Sequence, residues 1–230
     1  MNMKSSSITA KLLSAATLLL LSDSFTSCKK NNIDTYGTMN LKVVNAAPDS
    51  GPQSFTLADQ VLISGGLDFT EASDYISTNS GTRLVAQFKK DGTNTVYATG
   101  ELWTANDLSF TVYLAGEGSS ARVKMFKDDL SAPPSGKVKV RFIHLSDAAP
   151  SVISIRNSAG DNLVTTISRD IESGYSNVDP GTLSIKIYGV ASGDNIGNFD
   201  VTNLQAGKIY TLYLTGSTNA TISVQKVLHN

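Results

Sequence analysis

Residues 110–116 read FTVYLAG, and residues 210–216, one hundred positions later, read YTLYLTG. In both segments a large apolar or aromatic side chain occupies every second position. This period of two predicts a β-strand with one face turned toward a hydrophobic core. The recurrence predicts that the same strand occurs in two copies of one domain.

Two further blocks extend the repeat. SDYISTNSGTRLVAQF (residues 73–88) aligns with SGYSNVDPGTLSIKIY (173–188), and LKVVNAAPD (41–49) resembles VRFIHLSDAAP (140–150). Residue pairs that recur at the offset of one hundred include Tyr75 with Tyr175 and Gly81 with Gly181. Three blocks in the same order predict an internal duplication of roughly a hundred residues, which is the size of a domain.

The remaining pattern predicts an all-β fold. Short alternating segments are separated by turn residues, and no segment after residue 27 has a helical period. We expect about seven strands per copy, each packed on one side, in two tandem immunoglobulin-like β-sandwich domains. The first is expected over residues 39–130 and the second over 137–230, joined by the exposed linker SAPPSG at 131–136.

The first 27 residues are typical of a signal peptide. Lys4 and Lys11 precede or border the apolar run 12–21, which is only about half as long as a membrane-spanning helix. The small residues that follow lead directly to Cys28 and resemble the lipobox of bacterial prolipoproteins, although Phe25 stands where an aliphatic residue is usual. That resemblance implies lipidation of Cys28 and cleavage before it. The alternative is a plain signal peptide with an incidental cysteine.

Composition narrows the possible functions. Cys28 is the only cysteine, so a lipidated mature chain would have no thiol for disulfides, thiolate catalysis or zinc. The 19 basic and 20 acidic side chains form no basic patch in the sequence, which argues against a nucleic-acid partner. Residues 28–38 are polar and predict a tether, and no cofactor is expected.

The segment VRFIHLSDAAPSV, together with the later Tyr175 and Pro180-Gly181-Thr182, resembles the family called domain of unknown function 4397. The resemblance is expected to be strongest over residues 137–228, with 39–127 as a diverged first copy. It implies an exported, often lipidated protein of the bacterial envelope with tandem domains, and it implies no established activity.

Two positions in this motif have a structural interpretation. His144 ends the predicted buried strand face, where a neutral imidazole can bond two backbone groups of the following loop, and Asn45 occupies the equivalent position. LQAGKIYTLYL (204–214) resembles a tyrosine corner, in which the Tyr210 hydroxyl bonds the backbone. The counterpart Phe110 has no hydroxyl.

Candidate ligand contacts are few. Trp103 is expected in the core or, alternatively, as a stacking platform for a sugar. Tyr113 and Tyr213 are expected on the outward sheet faces, as an exposed aromatic stripe or as cross-strand pairs on a solvated face. No nucleophile motif, phosphate-binding loop or metal-ligand spacing is present, so no catalytic residue and no metal site are expected.

These features together predict a lipoprotein anchored to the outer membrane through Cys28, on its periplasmic or its surface side. The expected role is non-catalytic binding or adhesion, with a protein or glycan partner. One alternative is an accessory glycan-binding lipoprotein of a polysaccharide-uptake system, and a weaker one is a hydrolase whose site the sequence does not reveal.

Overall fold

A computed structural model describes residues 37–230, which belong to one compact unit. The first repeat contributes β1 (Thr38–Asn45), β2 (Gln53–Leu57), β3 (Gln60–Leu67), β4 (Ile76–Asn79), β5 (Leu84–Lys90), β6 (Val96–Leu102), β7 (Ser109–Ala115) and β8 (Arg122–Asp128). The second contributes β9 (Val138–His144), β10 (Val152–Asn157), β11 (Asn162–Ser168), β12 (Glu172–Val178), β13 (Gly181–Gly189), β14 (Asn195–Leu204), β15 (Ile209–Thr215) and β16 (Ser223–Leu228). A single 3₁₀ turn precedes the last strand of each repeat, at Gly118–Ser120 and Asn219–Thr221.

Each repeat is a sandwich of two four-stranded sheets. In each repeat, the sheet that packs against the other repeat is called the inner sheet, and the remaining sheet is called the outer sheet. The first inner sheet has the order β4-β1-β7-β8, and the first outer sheet has the order β3-β2-β5-β6. The second inner sheet, β12-β9-β15-β16, and the second outer sheet, β11-β10-β13-β14, repeat this arrangement. In both inner sheets the first strand of the repeat pairs in parallel with the seventh, while the other pairings are antiparallel. The predicted all-β class is therefore confirmed, with eight strands per repeat rather than about seven.

The core of each sandwich follows from the alternation in its strands. Phe55 and Phe88 face inward from the first outer sheet with ring centroids 4.9 Å apart, and Leu41 and Val112 meet them from the inner sheet. Equivalent positions of the second repeat hold aliphatic residues such as Ile155 and Ile187. Burial of these side chains is the main favourable term for each sandwich.

The two sandwiches pack against each other through their inner sheets. A third apolar cluster combines residues of both repeats: Val44, Ala46, Tyr113, Ala115, Ile143, Leu145, Tyr213 and Val227. The Tyr113 and Tyr213 rings meet edge to face with centroids 5.7 Å apart, and neither side chain is exposed. The inner sheets are thus buried on both faces, and the expectations that strands pack on one side only and that these tyrosines face solvent were wrong.

A closed ring of polar contacts lies beside this cluster. Arg141 Nε donates to the Thr211 hydroxyl (2.8 Å), which lies 2.7 Å from His229 Nε2. His229 Nδ1 lies 2.8 Å from the Tyr75 hydroxyl, which donates to Asp128 Oδ2 at 2.8 Å. Asp128 closes the ring by pairing with Arg141, and neither side chain of that pair is exposed. We call these five residues the inter-repeat ring, since Tyr75 and Asp128 belong to the first repeat and the others to the second.

The direction of the hydrogen bonds assigns the histidine tautomer. Because the Tyr75 hydroxyl donates to Asp128, its oxygen must accept from His229 Nδ1–H. His229 Nε2 is then free to accept from Thr211. The ring therefore holds a neutral imidazole, and burial lowers the pKa of His229 to about 4, with nearby Asp128 partly opposing that shift.

Ion pairs at the rim also join the two repeats. Arg122 of the first repeat contacts Asp147 at 3.0 Å and Asp170 at 2.9 Å, both in the second repeat. Lys124 adds a contact to Asp170 at 3.1 Å. Asp147 is therefore part of an inter-repeat ion pair.

The packing defines a stack of four sheets in the order first outer, first inner, second inner and second outer. The free faces of the two outer sheets consequently point in opposite directions. No helix within residues 37–230 has the length and apolar character needed to cross a membrane.

Candidate functional site

The outer face of the second outer sheet contains a polar depression of about 290 Å³, the second outer pocket. Strand alternation places its residues there, because Ile153, Ile155 and Ile187 point into the core and their neighbours point outward. The lining residues are Ser154, Arg156, Asn162, Thr165, Thr166, Tyr188, Gly189, Val190 and Gly193. This volume lies near the lower end of the range for small-molecule sites, which begins at about 300 Å³.

The first outer sheet carries a matching depression of the same volume, about 290 Å³, which we call the first outer pocket. Its lining residues are Ser54, Thr56, Val61, Ser64, Lys89, Asp91, Gly92, Thr93 and Asn94. The strand registers make the two pockets equivalent, since Ser54 pairs with Lys89 as Ser154 pairs with Tyr188. Both copies of the domain thus have a polar pocket at one position.

Irregular strand pairing borders both pockets. Between Ile153 and Ile155 the partner strand β11 holds additional residues, including Thr165 and Thr166, and β3 is irregular at the equivalent place. On the other side, the pairing of β13 with β14 shifts next to Tyr188, as β5 with β6 does next to Lys89. Bulges increase local twist and redirect side chains, so these shared irregularities account for a depression in an otherwise regular sheet face.

The pockets differ in charge. The first contains Lys89 together with Asp91, so its formal charges cancel. The second contains Arg156 as its charged lining residue, and the guanidinium carbon lies 4.7 Å from the centre of the Tyr188 ring. Stacking of this kind holds an arginine in place while its N–H groups remain available at the edge of the plane.

His144 and Asn45 lie far inside the fold, at the ends of β9 and β1. His144 Nε2 donates to the Pro150 carbonyl at 2.8 Å, and Nδ1 has no partner within the described part of the chain, so one of the two expected backbone bonds is formed. Burial lowers the pKa of His144, which keeps the imidazole neutral. The Asn45 amide donates to Ser50 and Leu67, each at 2.9 Å.

The other motif residues are also placed in structural positions. The Tyr75 hydroxyl belongs to the inter-repeat ring, and the Tyr175 ring stacks on Arg141 at 5.0 Å. Gly181 has φ +114, a backbone conformation that L side chains rarely adopt, and Gly81 bonds to Thr104. The Tyr210 hydroxyl accepts from the Gln205 N–H at 3.4 Å, which ties β15 to the preceding turn.

Trp103 lies outside the core with 58% of its surface exposed, so the expectation of core packing was wrong. The preceding residue, Leu102, takes the core position that Leu204 occupies in the second repeat, with 4% and 2% of their surfaces exposed. Because Trp103 follows a buried residue at a strand end, it points outward. It lines neither outer pocket.

Cys28 and the predicted signal peptide lie outside the described residues. Within residues 37–230, no three His, Cys, Asp or Glu side chains come together in a group that could hold a metal ion.

Sequence reasoning missed the residues of both outer pockets and most of the inter-repeat ring. Ser54 and Ser154 stand at the offset of one hundred that marks the repeat, and this was the one available signal for the pockets. Arg141 alternates with the apolar residues Val140 and Phe142, so its parity predicts the face that is turned away from the core of its own repeat. That face is covered by the other repeat, which the local pattern cannot show.

Comparison with known proteins identifies the family. The model described as Domain of unknown function (DUF4397) matches residues 39–154, the first repeat and the opening of the second. The motifs had placed the strongest resemblance at 137–228, so the match lies earlier than expected. No curated protein matches the sequence.

The solved structures that show weak similarity to this chain include the following two. CBMbc (family CBM26) from Eubacterium rectale Amy13K, in complex with maltoheptaose, is 13% identical with a TM-score of 0.29 and covers 82% of this chain and 97% of its own. A protein of Bacteroides uniformis ATCC 8492, named for a proposed role in cell adhesion, is 11% identical with a TM-score of 0.27 and covers 84% and 99%. Both TM-scores are low, so neither structure informs the function of this chain.

Proposed function

Given that this chain belongs to the family described as Domain of unknown function (DUF4397), we propose that it is a non-catalytic binding protein with one ligand-binding pocket on each outer sheet. The observation that carries the proposal is the duplication of the pocket. Both repeats have a depression of about 290 Å³ bordered by the same strand irregularities. The lining hydroxyl and amide groups suit a polar ligand about the size of one sugar ring.

The arrangement of the sheets favours two separate ligands, one bound in each pocket, over one ligand shared by both pockets. The inner sheets pack on each other, so the two pockets open on opposite faces of the stack. A short ligand therefore cannot occupy both pockets, whereas two separate strands of a polymer can each bind one. This geometry suits adhesion or the capture of a polymer.

The cellular setting belongs to the same proposal. Lipidation of Cys28 would hold the protein on the outer membrane, with residues 28–38 as the tether and a glycan or protein as the partner. Protease treatment of intact cells, with a tag after Asn230, distinguishes surface exposure from a periplasmic location. A Cys28→Ser variant that stayed in the membrane fraction would contradict the lipid anchor.

Binding is tested by filling the pockets. Ser64 and Thr165 are exposed lining residues, and the variants Ser64→Trp and Thr165→Trp place an indole in the first and second pocket, respectively. Thr99→Trp and Thr202→Trp are the matched controls, since both residues are exposed on strands of the same sheets and line neither pocket.

The assay is retention of the protein in native gels that contain one polysaccharide each, from a panel of neutral and acidic polymers. We expect at least one polymer to retain the wild type and both controls, with weaker retention of each pocket variant. Equal retention of all five proteins by every polymer would contradict the assignment of the pockets.

A further inference from the structure

We infer that the second outer pocket binds an acidic saccharide and that Arg156 receives its carboxylate or sulfate group. This inference rests on the proposed function and names the ligand class for one of its two pockets. It is carried by the stacked arginine and by the charge difference between the pockets.

Arg156 is positioned but not neutralised. Its guanidinium carbon lies 4.7 Å from the Tyr188 ring centre, and no carboxylate of the described chain lies within ion-pair distance. The aromatic ring covers one face of the guanidinium, so the in-plane N–H donors remain free. Those donors match the two oxygens of a carboxylate or sulfate, and charge-assisted hydrogen bonds of this kind are about twice as strong as neutral ones.

The surroundings reinforce the positive charge. Lys186 stands opposite Arg156 in the strand register, with its ammonium group bonded to the Ser158 carbonyl at 3.3 Å. No Asp or Glu lines the second pocket, whereas Asp91 lines the first beside Lys89. We therefore expect an anionic ligand to bind the second pocket in preference to the first, although the two pockets have the same volume.

The remaining lining groups of the second pocket are suited to hydrogen bonds with the hydroxyl groups of a saccharide. The side chains of Ser154, Asn162, Thr165 and Thr166 line the same pocket as Arg156. Within residues 37–230, none of these four side chains is engaged in a hydrogen bond. Hydroxyl and amide groups both donate and accept, as the hydroxyls of a sugar require.

The test compares charged polymers with uncharged partners of the same backbone. Polygalacturonate is paired with its fully methyl-esterified form, and dextran sulfate with dextran. Retention in native gels is measured for the wild type, Arg156→Ala, Arg156→Lys, Tyr188→Ala and Tyr188→Phe. Lys90→Ala is the matched control, because it removes an exposed cation of the first outer sheet that lines neither pocket. Thermal melts check that every variant is folded.

We expect at least one charged polymer to bind the wild type more tightly than its neutral partner. Arg156→Ala should weaken that binding about tenfold or more, the effect of losing a charge-assisted contact. Arg156→Lys should not restore it, since an ammonium lacks the planar donor fork. Tyr188 is a positioning residue, so Tyr188→Ala should weaken binding while Tyr188→Phe keeps it. Lys90→Ala should have little effect.

Two results overturn the inference. One is equal binding of charged and neutral polymers, and the other is charged-polymer binding that survives Arg156→Ala. If Thr165→Trp still abolishes binding of a neutral polymer, the proposed function stands and only the acidic ligand is wrong. If pocket-filling substitutions change no binding at all, both proposals fail together.

Discussion

Acidification should destabilise this protein in part through the buried residue His229. Its imidazole is enclosed by the inter-repeat ring, with Tyr75 at Nδ1 and Thr211 at Nε2. A second proton would have to sit on Nε2, where the Thr211 oxygen already accepts from the Arg141 cation. Burial, with the nearby cation, lowers the pKa of His229 from 6.5 to about 4.

The sign of the pH effect follows from which state binds the proton. Between pH 6.5 and about 4 the unfolded chain is protonated at His229 and the folded protein is not. Stability therefore falls as the pH is lowered through this window. Each tenfold difference in proton affinity is worth about 1.4 kcal/mol, so the complete effect is about 3 kcal/mol. Roughly two-thirds of it is reached by about pH 5.

The assay is urea unfolding followed by circular dichroism, at about pH 7.5 and about pH 5, for the wild type and His229→Gln. The variant is expected to be less stable at the higher pH, but the wild type should lose about 2 kcal/mol more than the variant on acidification. His144→Asn is the control, because it places in the second repeat the residue that the first repeat has at Asn45. The additional loss of stability that His229 causes on acidification should also be seen when His144→Asn is present. Equal losses in the wild type and His229→Gln would refute the reasoning.

Three further outcomes are expected from the same unfolding assay. Arg141→Met should lower the free energy of unfolding by about 3–5 kcal/mol, because it leaves Asp128 buried without its cation. The double variant Arg141→Met, Asp128→Asn should lose clearly less than the sum of the two single variants. Additive losses would contradict the pairing. Tyr213→Phe should be neutral or stabilising by about 1 kcal/mol, since its buried hydroxyl has no partner among residues 37–230, and a clear loss of stability would count against this. Gly216→Ala should be more destabilising than Gly174→Ala. Both glycines have a positive φ, but only at Gly216 would an added Cβ meet backbone atoms, at 2.7 Å. The reverse order of stability would contradict this reasoning.

Much of the architecture could be predicted because its signals are local. The alternation in residues 110–116 and 210–216 identifies a strand and its buried parity without knowledge of any partner. The offset of one hundred identifies the duplication in the same way. His144, at the end of β9, could likewise be placed on the buried face from parity alone.

The candidate sites could not be predicted, because they depend on pairing between distant strands. The outer pockets arise where β3 and β11 hold residues that their partner strands do not match, and a register irregularity leaves no period in the sequence. Arg156 and Tyr188 lie on different strands, and only the pairing of β10 with β13 stacks them.

The sequence by itself determined the all-β class, the duplication and the side of each strand that faces its own core, because these follow from residue alternation along the chain. Only the tertiary structure decided what covers the opposite side. Tyr113 and Arg141 have the parity of solvent-facing residues, yet both are buried because the inner sheets of the two repeats pack on each other. Burial depends on what another part of the chain places against a surface, and the alternation within one strand has no information about that partner.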